Sequence, residues 1–594
     1  MGAVAVVEVD DGVEGPGSGA DGPYPCSATH HLSLDAGSGA RTRPVERIVH
    51  FMRRLTIFVM SMGMMFGVVS FANSEETTAG RCAGLTAVKL EGAKVTSAML
   101  VAAGAALGDV KEAPGQGPVG KLPAFCRVKV TDTPTGDSDI KTEVWLPVEG
   151  WNGRYRAEGN GGFAGQIDYE GMAVAVTQGY ATSGTDTGHV DTSANTGHID
   201  DGPKFALGHP EKVKDFGWRA VHDMTVQTKV LVKAFYGKAA EHAYFTSCSD
   251  GGREALMEAQ RFPGDFDGIL AGAPANNWTA LISAATEDDK TLMASPGAYL
   301  PASKLPAITA AVLAACDGQD GLKDGVVGNP AKCGFDPAVL ACAGAENDSC
   351  LTAGQVVTLK SIYAAKKDAA GRAVFPGYSP GAESAPGSWG VWIVGKKQGV
   401  ETAMMYFGLG FFKDFVYERE DWNLGTFDFD RDSKRALAKT GEALNATDTN
   451  LKPFAARGGK LLMYHGWNDP AIPALSSVEY YDGVVRSMGK GEADAAVRLY
   501  MVPGMLHCEG GPGVTDFGQG RLAARGDAQH DAFVALEQWV EAGTAPGTLI
   551  ATKFVGEDET KGVVASRPVC VYPQVARYVK GDAKVAASFA CVGN

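Results

Sequence analysis

The feature that most constrains this chain is an alternation of strand and helix patterns that stops near Asn276 and resumes near Gly459. Over residues 218–236, Val221, Met224, Thr228, Leu231, Val232 and Phe235 recur at helical spacing, and the strand-like run 242–246 follows directly. Upstream, 125–130, 141–147 and 155–158 read as short strands between turn signals, and the apolar runs 172–177 and 180–182 continue that series after a Gly/Ala-rich stretch reaching about residue 120. Residues 266–274, 459–465 and 496–502 read as further strands, with helices over 476–488 and 527–542. Strand, helix, strand in tandem demands crossovers and a mostly parallel sheet, so the fold class is α/β. The intervening segment holds four Cys, several Gly/Pro turns and many aromatics, and is read as an inserted lid domain over 276–450.

The N-terminus is set aside from the fold. Residues 1–51 are rich in Gly, Asp and His and are read as a non-structural leader or a mis-assigned start. Met52-Arg53-Arg54 then opens an apolar run of 17 residues, Leu55 to Phe71, and Ser70-Phe71-Ala72 places small residues at −3 and −1. Residues 52–72 therefore read as a signal peptide cleaved after Ala72, with Met52 the true start and the product secreted or periplasmic. The alternative is a retained anchor, since the run is near the lower limit for spanning a bilayer. Eleven Cys fit export: removing the leader takes out only Cys26, and the ten that remain form no Cys-x-x-Cys pair of the zinc type. A formal charge of −15 argues against nucleic acid or an anionic membrane as a partner.

The sharpest local signal is Thr246-Ser247-Cys248-Ser249-Asp250-Gly251-Gly252, between the 242–246 strand and a helical pattern. A nucleophilic serine on a strained strand-to-helix turn needs small neighbours, and Ser249 has Gly at +2 and +3, with Ser247 in place of the usual Gly at −2. An ordinary helix N-cap serine would look similar. A serine nucleophile also needs a base and an orienting carboxylate, in the chain order Ser, Asp, His for an α/β-hydrolase. Asp469 follows the 459–465 strand, and His507 follows the 496–502 strand. Histidines 189, 198, 209, 222, 242, 465 and 530 are read as structural. Cys248 and Cys508 flank the proposed nucleophile and base, so a bond between them would tie the two loops together; a buried free thiol is the alternative at Cys248.

Gly161-Gly162-Phe163-Ala164-Gly165, Thr185-Asp186-Thr187-Gly188-His189, Cys248-Ser249-Asp250-Gly251-Gly252-Arg253, Gly272-Ala273-Pro274-Ala275-Asn276-Asn277-Trp278, His465-Gly466-Trp467-Asn468-Asp469-Pro470 and Gly504-Met505-Leu506-His507-Cys508 occur in this order. With them the chain resembles the tannase and feruloyl esterase family, which also contains mono(2-hydroxyethyl) terephthalate hydrolases. The resemblance implies an α/β-hydrolase core in two parts, 73–275 and 451–594, around the lid, and a Ser249, Asp469, His507 triad. It implies five disulfides: Cys82–Cys126, Cys248–Cys508, Cys316–Cys333, Cys342–Cys350 and Cys570–Cys591. In this fold the oxyanion donors are the N–H of Asp250 and one from the Gly161-Gly162 loop, with Gly162 preferred and Gly161 the alternative.

The insert carries a second constellation, Cys316-Asp317-Gly318-Gln319-Asp320-Gly321-Leu322-Lys323-Asp324-Gly325-Val326. Three carboxylates separated by glycines suit a hard cation such as Ca2+, although the acidic residue at the last EF-hand position is missing. The family's lid implies Asp317, Asp320 and Asp324 as side-chain ligands and Leu322 and Val326 as carbonyl ligands of a structural Ca2+. A solvated acidic turn is the competing reading. Asp432, before Ser433-Lys434-Arg435, reads as a helix N-cap. The expected partner is a small aromatic ester. Trp389, Trp392, Tyr406, Phe407, Phe411, Phe412 and Trp422 suit an aromatic acyl group or serve as lid core. Hydrolysis of feruloyl or galloyl esters is the leading function, a terephthaloyl monoesterase the alternative, and a non-catalytic binder the reading from another class.

Overall fold

The computed structural model describes residues 77–108, 122–191, 202–399, 402–520 and 526–593. The leader and the apolar run at 52–72 lie outside the described residues. A nine-stranded sheet is built from β1 (Ala93–Val101), β2 (Phe125–Asp132), β3 (Ile140–Pro147), β4 (Arg154–Glu158), β5 (Ala181–Thr185), β6 (His242–Cys248), β7 (Gly268–Gly272), β8 (Lys460–Gly466) and β9 (Val497–Val502). Its order is β1-β2-β3-β5-β4-β6-β7-β8-β9. The β1/β2, β2/β3 and β3/β5 pairs are antiparallel, and every pair from β5/β4 to β8/β9 is parallel.

Parallel strands need helices on both faces, and their side chains divide between two cores. Leu461 and Met463 of β8 join Phe245, Ile269, Val497 and Leu499 on one face. There they meet α2 (Ala220–Tyr236), α3 (Asp250–Arg261) and α5 (Leu475–Met488). Leu462 and Tyr464 turn the other way, to Tyr244, Leu270, Tyr500 and α6 (Ala532–Ala542). The strand period of two thus assigns each β8 side chain to a core, and a one-residue register slip would exchange them.

Three expectations need correcting. The run 172–177 belongs to helix α1 (Tyr169–Thr177), started by the Asp168 side chain accepting from the Gly171 N–H; Met172, Ala173, Ala175 and Val176 are buried at helical spacing. The helix expected from residue 527 begins at Ala532, where Asp531 caps the Phe533 and Val534 N–H groups. Asp428, rather than Asp432, caps helix Phe429–Leu444. Asp432 lies inside the first turn, fully buried and held by Arg431 and Tyr417. Strand β1 was missed because it is a sheet edge whose Met99 and Leu100 are exposed, which removes the alternation that marks a strand.

Between β7 and β8 the chain contributes no strand to the large sheet. It leaves and returns at one place: Ala446 N–H donates to the Asn276 carbonyl at 2.7 Å, and Asn445 bonds Thr279 twice, at 3.1 and 2.9 Å. Helix α4 (Trp278–Met293) opens this insert. Phe407, Phe411, Phe412 and Trp422 form its core with Phe163, Phe216 and Trp278. Trp389 belongs to a separate cluster around Leu305, Ile308 and Val312. All five expected disulfides are present.

Candidate active site

Ser249 stands between β6 and α3 with φ 69° and ψ −122°, a conformation L-residues rarely adopt. Strain of this kind persists only where the surroundings over-determine it. Here the Ser249 N–H donates to the Gly272 carbonyl at 3.0 Å, and the Ser249 carbonyl accepts from Ala275 at 3.1 Å. Gly251 and Gly252 are required by space. A Cβ on Gly251 would strike Ser247, and one on Gly252 would lie 2.8 Å from the Pro274 Cα and closer still to the Gly272 carbonyl. Ser249 occupies the N-cap position without capping α3, which leaves its hydroxyl for another partner.

That partner is His507. Its Nε2 lies 2.9 Å from Ser249 Oγ, and its Nδ1 lies 2.8 Å from Asp469 Oδ2. Asp469 follows β8 and His507 follows β9, so neighbouring parallel strands deliver both residues to the same sheet end as β6 delivers Ser249. The other Asp469 oxygen accepts from the Ala471 and Ile472 N–H groups at 2.8 and 2.9 Å. Burial alone would raise this carboxyl, but the His507 charge and hydrogen bonds from His465 and His507 hold it well below the ordinary aspartate range.

His465, read from sequence as structural, is a fourth member of the cluster. Its Nε2 lies 3.2 Å from Asp469 Oδ2 and 3.0 Å from the Ile472 carbonyl, and its Nδ1 lies 2.7 Å from Ser477 Oγ. Both His465 and Asp469 side chains are fully buried. The available signal was its spacing four residues before Asp469 at the end of β8.

The Gly161-Gly162 loop is fastened to the elbow. Asn160 accepts from the Gly251 N–H at 2.9 Å through its carbonyl, and its own N–H donates to Glu254 Oε2 at 2.9 Å. Its side-chain amide donates to the Gln166 and Thr185 carbonyls. Gly162 has φ +63° and faces Phe407. His189 stacks on Phe205 and bonds the Phe163 carbonyl at 2.8 Å; burial pulls it down to about 3, so it is neutral here. Asp250 opens α3, where a first-turn N–H has no intrahelical acceptor. Its carboxylate is bound to Arg253 at 2.6 Å, and both side chains are fully buried.

From the insert, Trp392 meets the His507 ring edge-on, with centroids 5.2 Å apart. Phe407 packs on Phe163 beside Gly162, whereas Phe411 and Phe412 are fully buried core residues. The Cys248–Cys508 bond spans 6.0 Å between Cα atoms beside the Ser249–His507 contact.

Asp317 accepts from the Asp324 and Gly325 N–H groups at 3.2 and 3.0 Å, Asp320 accepts from Leu322, and Asp324 also pairs with Arg567 at 2.8 Å. Burial raises the Asp320 carboxyl, helped by the charges of Asp324 and Asp317. The donor chemistry, all oxygen, suits a hard cation, but the structure does not gather the three carboxylates: one oxygen from each of Asp317, Asp320 and Asp324 does not fall within 4.8 Å of the other two.

The chain is similar to known proteins along most of its length. The family described as tannase and feruloyl esterase matches residues 126–592. An uncharacterised esterase of Xanthomonas campestris is 40% identical over 538 residues, covering 86% of this chain and 91% of its own length. A probable feruloyl esterase B-2 of Aspergillus terreus is 34% identical, over 76% of this chain and 82% of its own. The crystal structure of feruloyl esterase B from Aspergillus oryzae superposes with a TM-score of 0.77 at 30% identity, covering 87% of this chain and all of that one. The sheet is therefore that of an α/β-hydrolase, and the chain belongs to the tannase and feruloyl esterase family of carboxylic ester hydrolases.

Proposed function

We propose that this protein is an exported serine esterase that cleaves feruloyl or galloyl esters through an acyl-enzyme. The observation that carries the reading is the unbroken relay from Ser249 Oγ through His507 to Asp469, at 2.9 and 2.8 Å. Ser249 Oγ attacks the ester carbonyl as its proton passes to His507 Nε2, and the negative charge on the carbonyl oxygen is met by the N–H groups of Asp250 and Gly162. When the intermediate collapses, the imidazolium gives its proton to the departing alkoxide, leaving the acyl group on Ser249. Water then attacks that ester, His507 takes its proton and returns it to Ser249, and the acid is released. Asp469 stays ionised throughout and holds Nδ1–H toward itself, the tautomer that leaves Nε2 free to accept.

In this reading residues 276–450 are the lid, and Trp392 and Phe407 are the aromatic walls it supplies. The names of the relatives support feruloyl esters, and five disulfides support an oxidising compartment. No described helix is long and apolar enough to cross a membrane. A fluorophosphonate probe should label the folded, oxidised protein once, on the peptide bearing Ser249, and a feruloyl or galloyl ester should be hydrolysed faster than a terephthaloyl monoester. Absence of labelling would refute the serine mechanism; a preference for the terephthaloyl ester would refute the substrate class.

Asp317, Asp320 and Asp324, with the Leu322 and Val326 carbonyls, would hold Ca2+, which supplies charge neutralisation to the loop and none of the ester chemistry. Chelation should lower Tm by about 2–3 °C, the effect of losing a ligand held near a hundred times its Kd, while turnover at low temperature persists. Loss of turnover from a protein that remains folded would show the cation to be catalytic.

A further inference from the structure

Away from the triad, one set of ligand-bearing side chains joins three neighbouring elements. His222 lies on α2, Glu258 lies near the end of α3, and Asp265 lies in the turn that leads to β7. One nitrogen or oxygen atom from each falls within 4.8 Å of the others, the one such His, Cys and carboxylate group among the described residues. His222 Nδ1 is 2.6 Å from Asp265 Oδ2, and the ring stacks on Phe262 with centroids 3.7 Å apart, which fixes the edge it offers to the carboxylates.

Glu258 sets this cluster apart from an ordinary surface ion pair. It is 1% exposed, and neither oxygen accepts from a protein N–H or O–H; its one side-chain partner is the Asp265 carboxyl group. A buried carboxylate lacking donors costs several kcal/mol unless it neutralises or finds a cation. Burial first, then the neighbouring Asp265 carboxylate, pushes the Glu258 carboxyl well above the glutamate range, with Glu254 adding to the effect and Lys229 opposing it. Lys229 is committed elsewhere, since its ammonium donates to the Asp265 and Gly264 carbonyls. The cluster therefore gathers an imidazole and two carboxylates at a point short of positive charge.

We propose that His222, Glu258 and Asp265 bind one divalent transition-metal ion of the zinc type. Zinc takes His nitrogen and carboxylate oxygen at about 2.0–2.2 Å, which places tetrahedral donors about 3.3 Å apart, so small side-chain movements close the set around an ion and leave one position for water. The imidazole selects against Ca2+ and Mg2+, which prefer oxygen shells. The ion ties α2 and the turn before β7 to the far end of the helix that Ser249 begins. Its role is to brace the elbow, and it takes no part in the ester chemistry.

The test uses the full-length protein, stripped with a chelator, desalted, incubated with Zn2+ and desalted again. Wild type should retain one more Zn2+ per chain than His222→Ala or Glu258→Gln, and Zn2+ should raise Tm in the wild type only. All three should react alike with the fluorophosphonate probe, and Ca2+ should not distinguish them. His222 is partly exposed, so His222→Ala carries the test if Glu258→Gln does not fold. Equal zinc content in wild type and variants, or none in wild type, would overturn the site.

Discussion

Replacing Asp469 with Asn should lower kcat by about four orders of magnitude while the protein remains folded and oxidised. The carboxylate serves two sets of donors: Oδ1 accepts the Ala471 and Ile472 N–H groups, and Oδ2 faces His507 Nδ1 and His465 Nε2. An amide has one oxygen. If that oxygen stays with the two backbone N–H groups, the NH2 faces His507 and pairs with a bare Nδ1, so the ring proton moves to Nε2 and Ser249 loses its base. If the amide flips, the NH2 confronts two backbone donors that cannot retreat. Steady-state kinetics across pH, beside a melting curve, checks this: kcat within tenfold of wild type on a feruloyl ester would mean that Asp469 does not orient the base.

Replacing both Cys248 and Cys508 with Ala should reduce turnover on the order of a hundredfold with a comparatively small change in Tm. Through the unfolded chain alone, a cross-link spanning 260 positions contributes roughly 5 kcal/mol, an upper figure that native strain and residual structure usually reduce. Four other bridges stay in place. The two loops it joins are not equally secured. Ser249 is pinned to β7 through Gly272 and to Ala275 beyond it, whereas the His507 turn is tied to the Asp469 loop by the Asn468 N–H on the Met505 carbonyl and otherwise closes on itself, through Leu506 to Gly510 and Glu509 to His507, with Cys508 at φ 67°. Without the sulfur link the imidazole can drift, and a displacement of about 1 Å costs on the order of a hundredfold in rate. Near-normal turnover in a purified double variant would show that packing alone sets the Ser249–His507 distance.

The sequence disclosed most of the sheet and the three relay residues because parallel strands buried on both faces leave strong apolar runs and end in short loops with fixed chemistry. It concealed β1, whose exposed edge carries no alternation, and the helical nature of 172–177, where a short buried helix and a buried strand share composition. His465 stayed hidden for a different reason. Its spacing from Asp469 hints at a contact, but the Ser477 hydroxyl that holds its Nδ1 comes within reach only when α5 packs beside β8. The Glu258 cluster was equally silent, because its members lie far apart along the chain and meet only when α2 lies beside α3.

The insert's closure at Asn276 and Ala446 bears on how such enzymes diversify. Because both ends are held by the same few hydrogen bonds, the chain between them can lengthen, shorten or be exchanged for another without shifting the register of β7 against β8. The insert residues that meet His507 and Gly162, Trp392 and Phe407, travel with the exchanged piece, whereas the relay stays with the sheet. Inheritance can therefore act on the insert and on the sheet-borne relay as two separate traits, joined at one seam.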